Sequence, residues 1–180
     1  MTTELDVLRR VSKGLTIRNL PFMMTGSFAL ARYVTPRMTR GIDIVVALNR
    51  DDIDAVVSEF APEFYLDAEA GRAAVEAERL FNMIHQASGI KVDLIVRKSS
   101  ACRRAEFDRR LRVTLGSVDT WIVSREDLIL SKLVWARDSR SEMQRRDVEL
   151  LLKGADLDRD YLRSWAERLG LNASLDELWQ

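Results

Sequence analysis

The stretch over residues 23–46 constrains the fold of this chain more than any other. An apolar strand runs into Gly26-Ser27, which opens a short helical segment, and a second apolar strand with a single acid, Asp43, follows. Glycine has no Cβ, so backbone can approach a ligand closely at that point. Ser27 is predicted to cap the helix and offer a hydroxyl, and free N–H groups at a helix start favour anions. A carboxylate on the neighbouring strand could then hold a divalent metal against a phosphate.

The composition is that of an ordinary globular chain and excludes several classes of protein. Lys plus Arg equals Asp plus Glu at 28 each, which argues against a dedicated nucleic-acid coat or a polybasic membrane binder. Cys102 is the single cysteine, so an internal disulfide and a cysteine-based zinc cluster are excluded. The first ten residues lack a signal-peptide pattern, and no run approaches the ~18 apolar residues of a membrane span. We therefore expect a soluble, cytoplasmic protein with no membrane partner.

Hydrophobic periodicity predicts a mixed α/β region followed by helices alone. The predicted strands cover residues 20–25, 41–48, 64–66, 80–86, 90–96, 113–115 and 118–123. The short Ala87-Ser88-Gly89 loop favours a hairpin between strands 80–86 and 90–96. The predicted helices cover residues 3–19, 27–34, 50–60 behind a cap at Asn49, 68–78, 98–110, 124–135, 143–153, 158–169 and 174–179. The expected fold class is α/β (α+β), a small mixed sheet with flanking helices and a C-terminal helical bundle. We expect an α/β core over residues 1–123 and a helical subdomain over 124–180.

Two of the predicted strands each carry one carboxylate in an otherwise apolar run. Because side chains alternate along a strand, Asp43 shares a face with Gly41, and Asp93 shares a face with Lys91. A charge in that setting is costly unless it is paired or bound to a metal. If the two strands are neighbours, both acids can converge on one Mg²⁺. The alternative is that each is a strand-end acid paired with one of the many arginines.

The order of these segments resembles the nucleotidyltransferase fold, the DNA polymerase β-like superfamily, and in particular the AbiEii/AbiGii-type nucleotidyltransferase toxins. Those proteins carry a Gly-Gly or Gly-Ser turn, an Arg-x-Thr/Ser-x-Asp-x-Asp strand, a Lys-x-Asp strand, a Glu-Asp-x-x-x-x-Lys helix and a basic-Asp helix. The matching segments here are Gly26-Ser27, Arg37-x-Thr39-x-Gly41-x-Asp43, Lys91-x-Asp93, Glu126-Asp127-x-x-x-x-Lys132 and Arg146-Asp147. The resemblance covers about residues 22–152. One departure stands out, because Gly41 replaces the first acid of the second motif.

The resemblance implies a role for each matching residue. Asp43 and Asp93 would be catalytic carboxylates and metal ligands, and Lys132 would be catalytic by reaching the nucleotide phosphates. Nucleotide binding would fall to Gly26, Ser27, Arg37, Thr39, Lys91, Arg146 and Asp147. The implied cofactor is Mg²⁺ (or Mn²⁺), and the implied substrate is a nucleoside triphosphate (NTP). For Lys132 the alternative is a lysine that snorkels from a buried stem.

The implied activity is metal-dependent transfer of a nucleotidyl group from an NTP to an acceptor hydroxyl, in a toxin-like role. The acceptor stays open between a tRNA end, a protein hydroxyl and a small molecule, and an antitoxin-like partner is a further expectation. Basic runs over residues 97–112 and 137–146 could hold a nucleic-acid backbone, or they could be solvated helix faces paired to local acids. The alternative function is a catalytically degenerate nucleotide- or partner-binding protein, because Gly41 removes a ligand that would bridge two metals.

Overall fold

A computed structural model describes residues 2–35, 41–154 and 156–179. The predicted site residues Arg37 and Thr39 lie outside the described residues. The strands are β1 (Phe22–Thr25), β2 (Gly41–Val46), β3 (Phe64–Leu66), β4 (Leu80–His85), β5 (Lys91–Val96), β6 (Leu111–Leu115) and β7 (Val118–Ile122). The helices are α1 (Glu4–Ile17), α2 (Gly26–Tyr33), α3 (Asp52–Phe60), α4 (Ala68–Glu76), α5 (Ala101–Asp108), α6 (Arg125–Ser139), α7 (Glu142–Leu152), α8 (Arg159–Leu169) and α9 (Asn172–Leu178).

The strands form one mixed sheet in the order β3-β4-β5-β2-β1-β7-β6. β2 runs parallel to β5 and β1 runs parallel to β7, whereas the other neighbours are antiparallel. The predicted β4–β5 hairpin forms, with Gly89 in the left-handed region (φ +69°) at its turn. In the described residues after β7, every regular element is a helix. The predicted fold class, a mixed sheet with flanking helices and helices at the C-terminal end, is confirmed.

One face of the sheet forms the buried core. The even-numbered side chains of β2 and β5 all point to this face, because side chains alternate along a strand. They are at most 3% exposed: Ile42, Ile44, Val46, Val92, Leu94 and Val96. Helix α1 contacts β2 and β7 and buries Leu8, Val11 and Leu15 completely. The apolar spacing of α1 in the sequence is therefore the spacing of its packed face.

The opposite face changes from covered to exposed across the sheet. Met23 on β1 is 0% exposed, Val45 on β2 beside it is 9% exposed, and Leu80 on β4 is 52% exposed. Ile84, also on β4, is 38% exposed, and Tyr65 on the edge strand β3 is 67% exposed. The covering helix at the centre is α2, which contacts β1, β2, α6 and α7. The strands β4 and β3 thus form an uncovered apolar floor beside a helical wall.

Two predicted helix caps are wrong. Asp51, not Asn49, precedes the first residue of α3, and the Asn49 N–H instead donates to the Asp52 carboxylate at 2.7 Å. Thr25, not Ser27, precedes the first residue of α2. The left-handed backbone of Gly26 (φ +63°) turns the chain out of β1 directly into the helix. Ser27 therefore lies in the first turn rather than at the cap.

A buried carboxylate joins the C-terminal helices to the α/β region. Asp127 on α6 is 1% exposed and accepts hydrogen bonds from Ser124 Oγ (2.5 Å), Tyr161 Oη (2.6 Å) and Arg109 Nε (3.3 Å). The Arg109 guanidinium also stacks on the Tyr161 ring at 3.8 Å. Burial, and then the bond to Asp127, raise the pKa of Tyr161 above its ordinary value. These contacts tie α6 to α8 and to the end of α5, and a domain division at residue 123 stays a prediction.

No helix in the described ranges combines the length and the apolar character that crossing a lipid bilayer requires.

We predict that Tyr161→Phe lowers the free energy of unfolding by roughly 1.5–3 kcal/mol, the range for a hydrogen bond to a charged group. The matched control is Tyr33→Phe, which removes a bond of similar length, 2.7 Å, to the neutral carbonyl of Val123. That loss is expected to be about 0.5–1.5 kcal/mol. Urea titration monitored by circular dichroism measures the free energy of unfolding of both variants. Equal losses in the two variants would contradict the assignment of Asp127 as a charged acceptor.

Candidate active site

Asp43 and Asp93 lie side by side at the centre of the sheet. β2 and β5 are parallel neighbours, and their register sets Asp43 directly opposite Asp93. Residues directly opposite one another on neighbouring strands share a face, so both carboxylates lie on the face opposite the core. On the far side of Asp93 is Asn82 of β4, whose Nδ2 lies 3.4 Å from Asp93 Oδ1. The two acids that the sequence singled out are thus brought together.

The Gly-Ser turn is packed against Asp43. Gly26 adopts φ +63°, and a Cβ at this position would collide with the Asp43 carboxylate. The Ser27 backbone N–H donates a hydrogen bond to that carboxylate. The sequence interpretation assigned the space at Gly26 to a ligand, but in the structure the Asp43 side chain takes it up. Glycine is required here both by the left-handed backbone and by this close contact.

The charge on Asp43 is destabilised by its surroundings. Burial raises the pKa of Asp43, and the neighbouring charge of Asp93 raises it further. Lys91, Lys132 and the Ser27 N–H act in the opposite direction, but the net shift is upward. A divalent cation between the two carboxylates would offset both burial and repulsion. The electrostatics of the pair therefore fit a bound cation.

Lys91 pairs with the second acid. Its Nζ lies 2.9 Å from Asp93 Oδ2, with the lysine side chain 48% exposed and the aspartate side chain 16% exposed. An ion pair this exposed is weak, typically about 0–1 kcal/mol. Lys91 can thus leave Asp93 at little cost.

Gly41 is where the missing acid would lie. It is opposite Lys91 in the register and shares a face with Asp43. A Cβ at Gly41 would have the Lys91 carbonyl oxygen as its nearest neighbour, at 3.8 Å, so the backbone leaves room for a side chain. Among residues 2–35, 41–154 and 156–179, no group of three or more His, Cys, Asp or Glu side chains could hold a metal ion. The pair Asp43 and Asp93 fits one Mg²⁺ that keeps several waters, rather than two bridged ions.

Lys132 lies buried on α6, between α6 and α7. Its Nζ donates to Asp147 Oδ2 at 2.7 Å and to Gln144 Oε1 at 2.9 Å, and the lysine side chain is 3% exposed. The positive charge of Lys132 acts to lower the pKa of Asp43, which offsets part of the upward shift caused by burial and Asp93. Asp147 thus fixes the position of this lysine. Arg146, the next residue, is exposed.

Sequence reasoning missed two polar residues of this region, Asn82 and Gln144. Asn82 alternates with apolar residues like any exposed position on a strand, and Gln144 lies in a polar first turn of α7. Neither position carries a signal by itself. Only the strand register and the packing of α6 on α7 bring them to Asp93 and Lys132.

Solved structures share this architecture over most of the chain. An antigenic nucleotidyltransferase-like protein from Paracoccidioides brasiliensis has a TM-score of 0.60 and 13% identity, covering 98% of this chain and 92% of its own. ANT(2″)-Ia in complex with adenylyl-2″-tobramycin has a TM-score of 0.59 and 13% identity, covering 94% and 99%. The lincomycin-bound lincosamide antibiotic adenylyltransferase LnuA has a TM-score of 0.56 and 11% identity, covering 84% and 98%. Neither a protein-family model nor a curated protein matches the chain.

At these identities the likeness shows the fold. The chain shares the fold of these nucleotidyltransferase-like proteins, so the fold that the resemblance implied is confirmed. The similarity to AbiEii/AbiGii-type toxins stays a prediction.

We predict that Asp43→Asn raises the melting temperature at pH 7 in the presence of a metal chelator. The amide keeps the shape of the carboxylate and removes a charge that burial and Asp93 disfavour. A gain of about 1 kcal/mol corresponds to roughly 2–4 °C in a chain of this size. Because the folded-state pKa of Asp43 is raised, the wild type regains this stability as the pH falls and the carboxyl takes up a proton. The gain should therefore shrink steadily between neutral and acidic pH.

Differential scanning calorimetry across that pH range measures the effect, and Asp119→Asn on β7 is the matched control. Asp119 is exposed and accepts from Thr114 Oγ1 at 2.7 Å, a bond that asparagine can keep. A lower melting temperature for Asp43→Asn at neutral pH would show that Asp43 is a stabilising structural acid.

Proposed function

We propose that this chain binds an NTP together with one divalent cation, Mg²⁺ or Mn²⁺, and transfers the nucleotidyl group to an acceptor hydroxyl. The observation that carries the proposal is the contact between the Gly26-Ser27 turn and Asp43, which pairs in register with Asp93. A helix start, a hydroxyl and two carboxylates thereby meet in one small region. Support also comes from the fold neighbours, which include a lincosamide adenylyltransferase and a complex with adenylyl-2″-tobramycin.

Each residue of the region has a distinct part in this proposal. The Ser27 N–H orients the Asp43 carboxylate. The Ser27 hydroxyl and the remaining N–H groups of the first turn of α2 would bind the phosphates. Asp43 and Asp93 would hold the cation. The cation, when bound, neutralises phosphate charge and lowers the pKa of the acceptor hydroxyl. Lys132 adds positive potential at the acids from a fixed position, since Asp147 holds it.

The remaining expectations rest on the resemblance. Arg37, Thr39, Lys91, Arg146 and Asp147 stay predicted nucleotide-binding residues. The toxin-like role, an antitoxin-like partner and a tRNA acceptor also stay predictions.

The direction from which the acceptor approaches follows from the chemistry. In-line displacement requires the attacking and leaving oxygens to lie on opposite sides of the phosphorus. If the leaving phosphates lie at Gly26-Ser27, on the β1 side of Asp43, the acceptor comes over β5, β4 and β3. That side is the uncovered apolar floor, where Leu80, Ile84 and Tyr65 are exposed beside a groove of about 240 Å³. An acceptor with an apolar or aromatic face would suit it.

A second candidate function is a catalytically degenerate nucleotide-binding protein. Gly41 favours it, because an acid is absent where the superfamily motif has one, and the Lys91–Asp93 ion pair engages the second carboxylate. Such a protein would bind an NTP weakly with metal and transfer nothing. Restoring the acid separates the two functions.

We predict that Gly41→Asp tightens Mn²⁺ binding and raises NTP-dependent labelling of an acceptor pool. The new carboxylate would share a face with Asp43, and a bridging carboxylate holds two cations close despite their repulsion. The assay is calorimetric Mn²⁺ titration alongside transfer of labelled NTP onto total RNA, protein and small metabolites.

Gly41→Asn is the matched control, since it has the size of the aspartate without its charge, and Asp43→Asn is the negative control. If the wild type transfers efficiently and Asp43→Asn does not, the chain is an enzyme that needs no acid at position 41. Transfer only in Gly41→Asp supports the degenerate protein. No Mn²⁺ or NTP binding by either protein contradicts the proposed function.

We further predict that Tyr65→Ala lowers transfer at least several-fold while NTP affinity stays unchanged, because the floor contacts the acceptor rather than the nucleotide. The control is Ile17→Ala, an apolar side chain 59% exposed at the end of α1. Initial rates at varied acceptor concentration measure the effect as a raised KM. An unchanged KM for the acceptor would show that it approaches from another side.

A further inference from the structure

Two arginines share one aromatic ring at the end of β5. The guanidinium carbon of Arg97 lies 5.3 Å from the centre of the Phe107 ring, and that of Arg110 lies 4.4 Å from the same centre. The distance between the two guanidinium carbons therefore cannot exceed the sum of these two distances. Arg110 also lies 5.0 Å from the centre of the Trp121 ring. Phe107, on α5, is 2% exposed, so the ring fixes both guanidinium groups against the protein.

These arginines lack the anionic partners that their neighbours have. Arg103 pairs with Glu106 at 2.9 Å, and Arg109 pairs with Asp127 at 3.3 Å. Within the described part of the chain, Arg97 and Arg110 form no ion pair, and the buried Nε atom of each finds no hydrogen-bond partner. Burial, and to a smaller extent the charge of Arg97, lower the pKa of Arg110, although the nearby charge of Asp108 acts in the opposite direction.

Such an arrangement is costly unless something offsets it. Buried polar atoms in native proteins are nearly always satisfied, and an exception calls for a ligand, an ion or a water. Two guanidinium groups held against one ring also repel each other. A single oxyanion in contact with both guanidinium groups would offset this repulsion.

We propose that Arg97 and Arg110 form a phosphate-binding site, separate from the carboxylate pair. Guanidinium groups bind phosphate through paired, charge-assisted hydrogen bonds, and Arg is suited to partly buried sites of this kind. Arg97 continues β5 and shares its face with Ile95 and Asp93, four residues back, which is a separation of about 13 Å along the strand. The phosphate could belong to a nucleotide or to the backbone of an RNA. This inference does not depend on catalysis at Asp43.

The first test uses inorganic phosphate and thermal unfolding, with a metal chelator present. A ligand that binds only the folded state raises the melting temperature. Because phosphate also stabilises proteins non-specifically, the measured quantity is the difference between variants at matched ionic strength. Arg97→Gln and Arg110→Gln are each expected to weaken phosphate binding about tenfold or more, as the loss of a charged hydrogen bond implies. Arg104→Gln, at an exposed arginine of α5, is the matched control and should keep the phosphate response.

If the two arginines had only a structural role, Arg97→Gln would lower the melting temperature in chloride alone. A phosphate site predicts instead that the melting temperature of this variant in chloride is unchanged or raised, because the substitution removes repulsion and an unsatisfied donor. Fluorescence of Trp121, compared with a Trp121→Phe variant, should change on phosphate addition in the wild type only. A phosphate response that survives in both arginine variants overturns the proposal, and so does a response equal to that of chloride.

The source of the phosphate is tested in the Asp43→Asn background, where the proposed metal site is disabled. A short single-stranded oligoribonucleotide and an NTP are tested separately as competitors of phosphate. Displacement of phosphate is measured from the change in Trp121 fluorescence. Displacement by the oligoribonucleotide identifies a backbone phosphodiester, and displacement by the NTP identifies a nucleotide phosphate. Since Asp43 is absent from this experiment, its failure is distinguishable from a failure of the proposed function.

Discussion

The contact between Gly26 and Asp43 is the constraint on which the rest of the structure depends. The carboxylate lies where a Cβ of residue 26 would be, so only glycine permits the two strands and the start of α2 to meet as they do. The left-handed φ of the same glycine turns β1 directly into the helix. One residue therefore satisfies a steric and a conformational requirement at once, and the Ser27 N–H that follows orients the acid.

This contact has an electrostatic cost that explains how the surrounding charges are arranged. Asp43 is buried beside a second carboxylate, and its pKa is raised for both reasons. Lys91 and Lys132 reduce the cost without removing it, one from an exposed ion pair and the other from a buried one. Sites that keep an unfavourable charge in the folded state are typical of ligand binding, because the ligand supplies the missing stabilisation. Arg110 shows the same pattern with the opposite sign of charge, because burial lowers its pKa.

The C-terminal helices are joined to the sheet region through buried acids. Asp127 gathers hydrogen bonds from Ser124, Tyr161 and Arg109, and Asp147 fixes Lys132 between α6 and α7. Removing one partner from such a pair leaves a buried charge without compensation, which typically costs about 3–5 kcal/mol. Asp147 thus holds Lys132 near the carboxylate pair, and Asp127 holds the C-terminal helices against the end of α5.

Much of this could be predicted from the sequence, because the relevant signals are local. The near-continuous apolar runs of β2 and β5 indicated buried strands, the Ala-Ser-Gly loop indicated the hairpin, and the alternation of side chains put Asp43 on the face of Gly41. The spacing of Leu8, Val11 and Leu15 indicated the packed face of α1. These features depend on residues close together in the chain, so periodicity alone determines them.

Tertiary structure decided which of these elements meet. The order β5-β2-β1 sets Asp93 opposite Asp43 although fifty residues separate them, and no local pattern encodes that register. Tertiary structure likewise decided that the Asp43 side chain takes up the space at Gly26, which residues pair with Lys132, and that two arginines contact Phe107. The sequence by itself determined the secondary structure, the buried face and the kind of chemistry its acids and glycines allow. Only the packing of distant segments decided which charges are paired, because pairing depends on distances that chain separation does not determine.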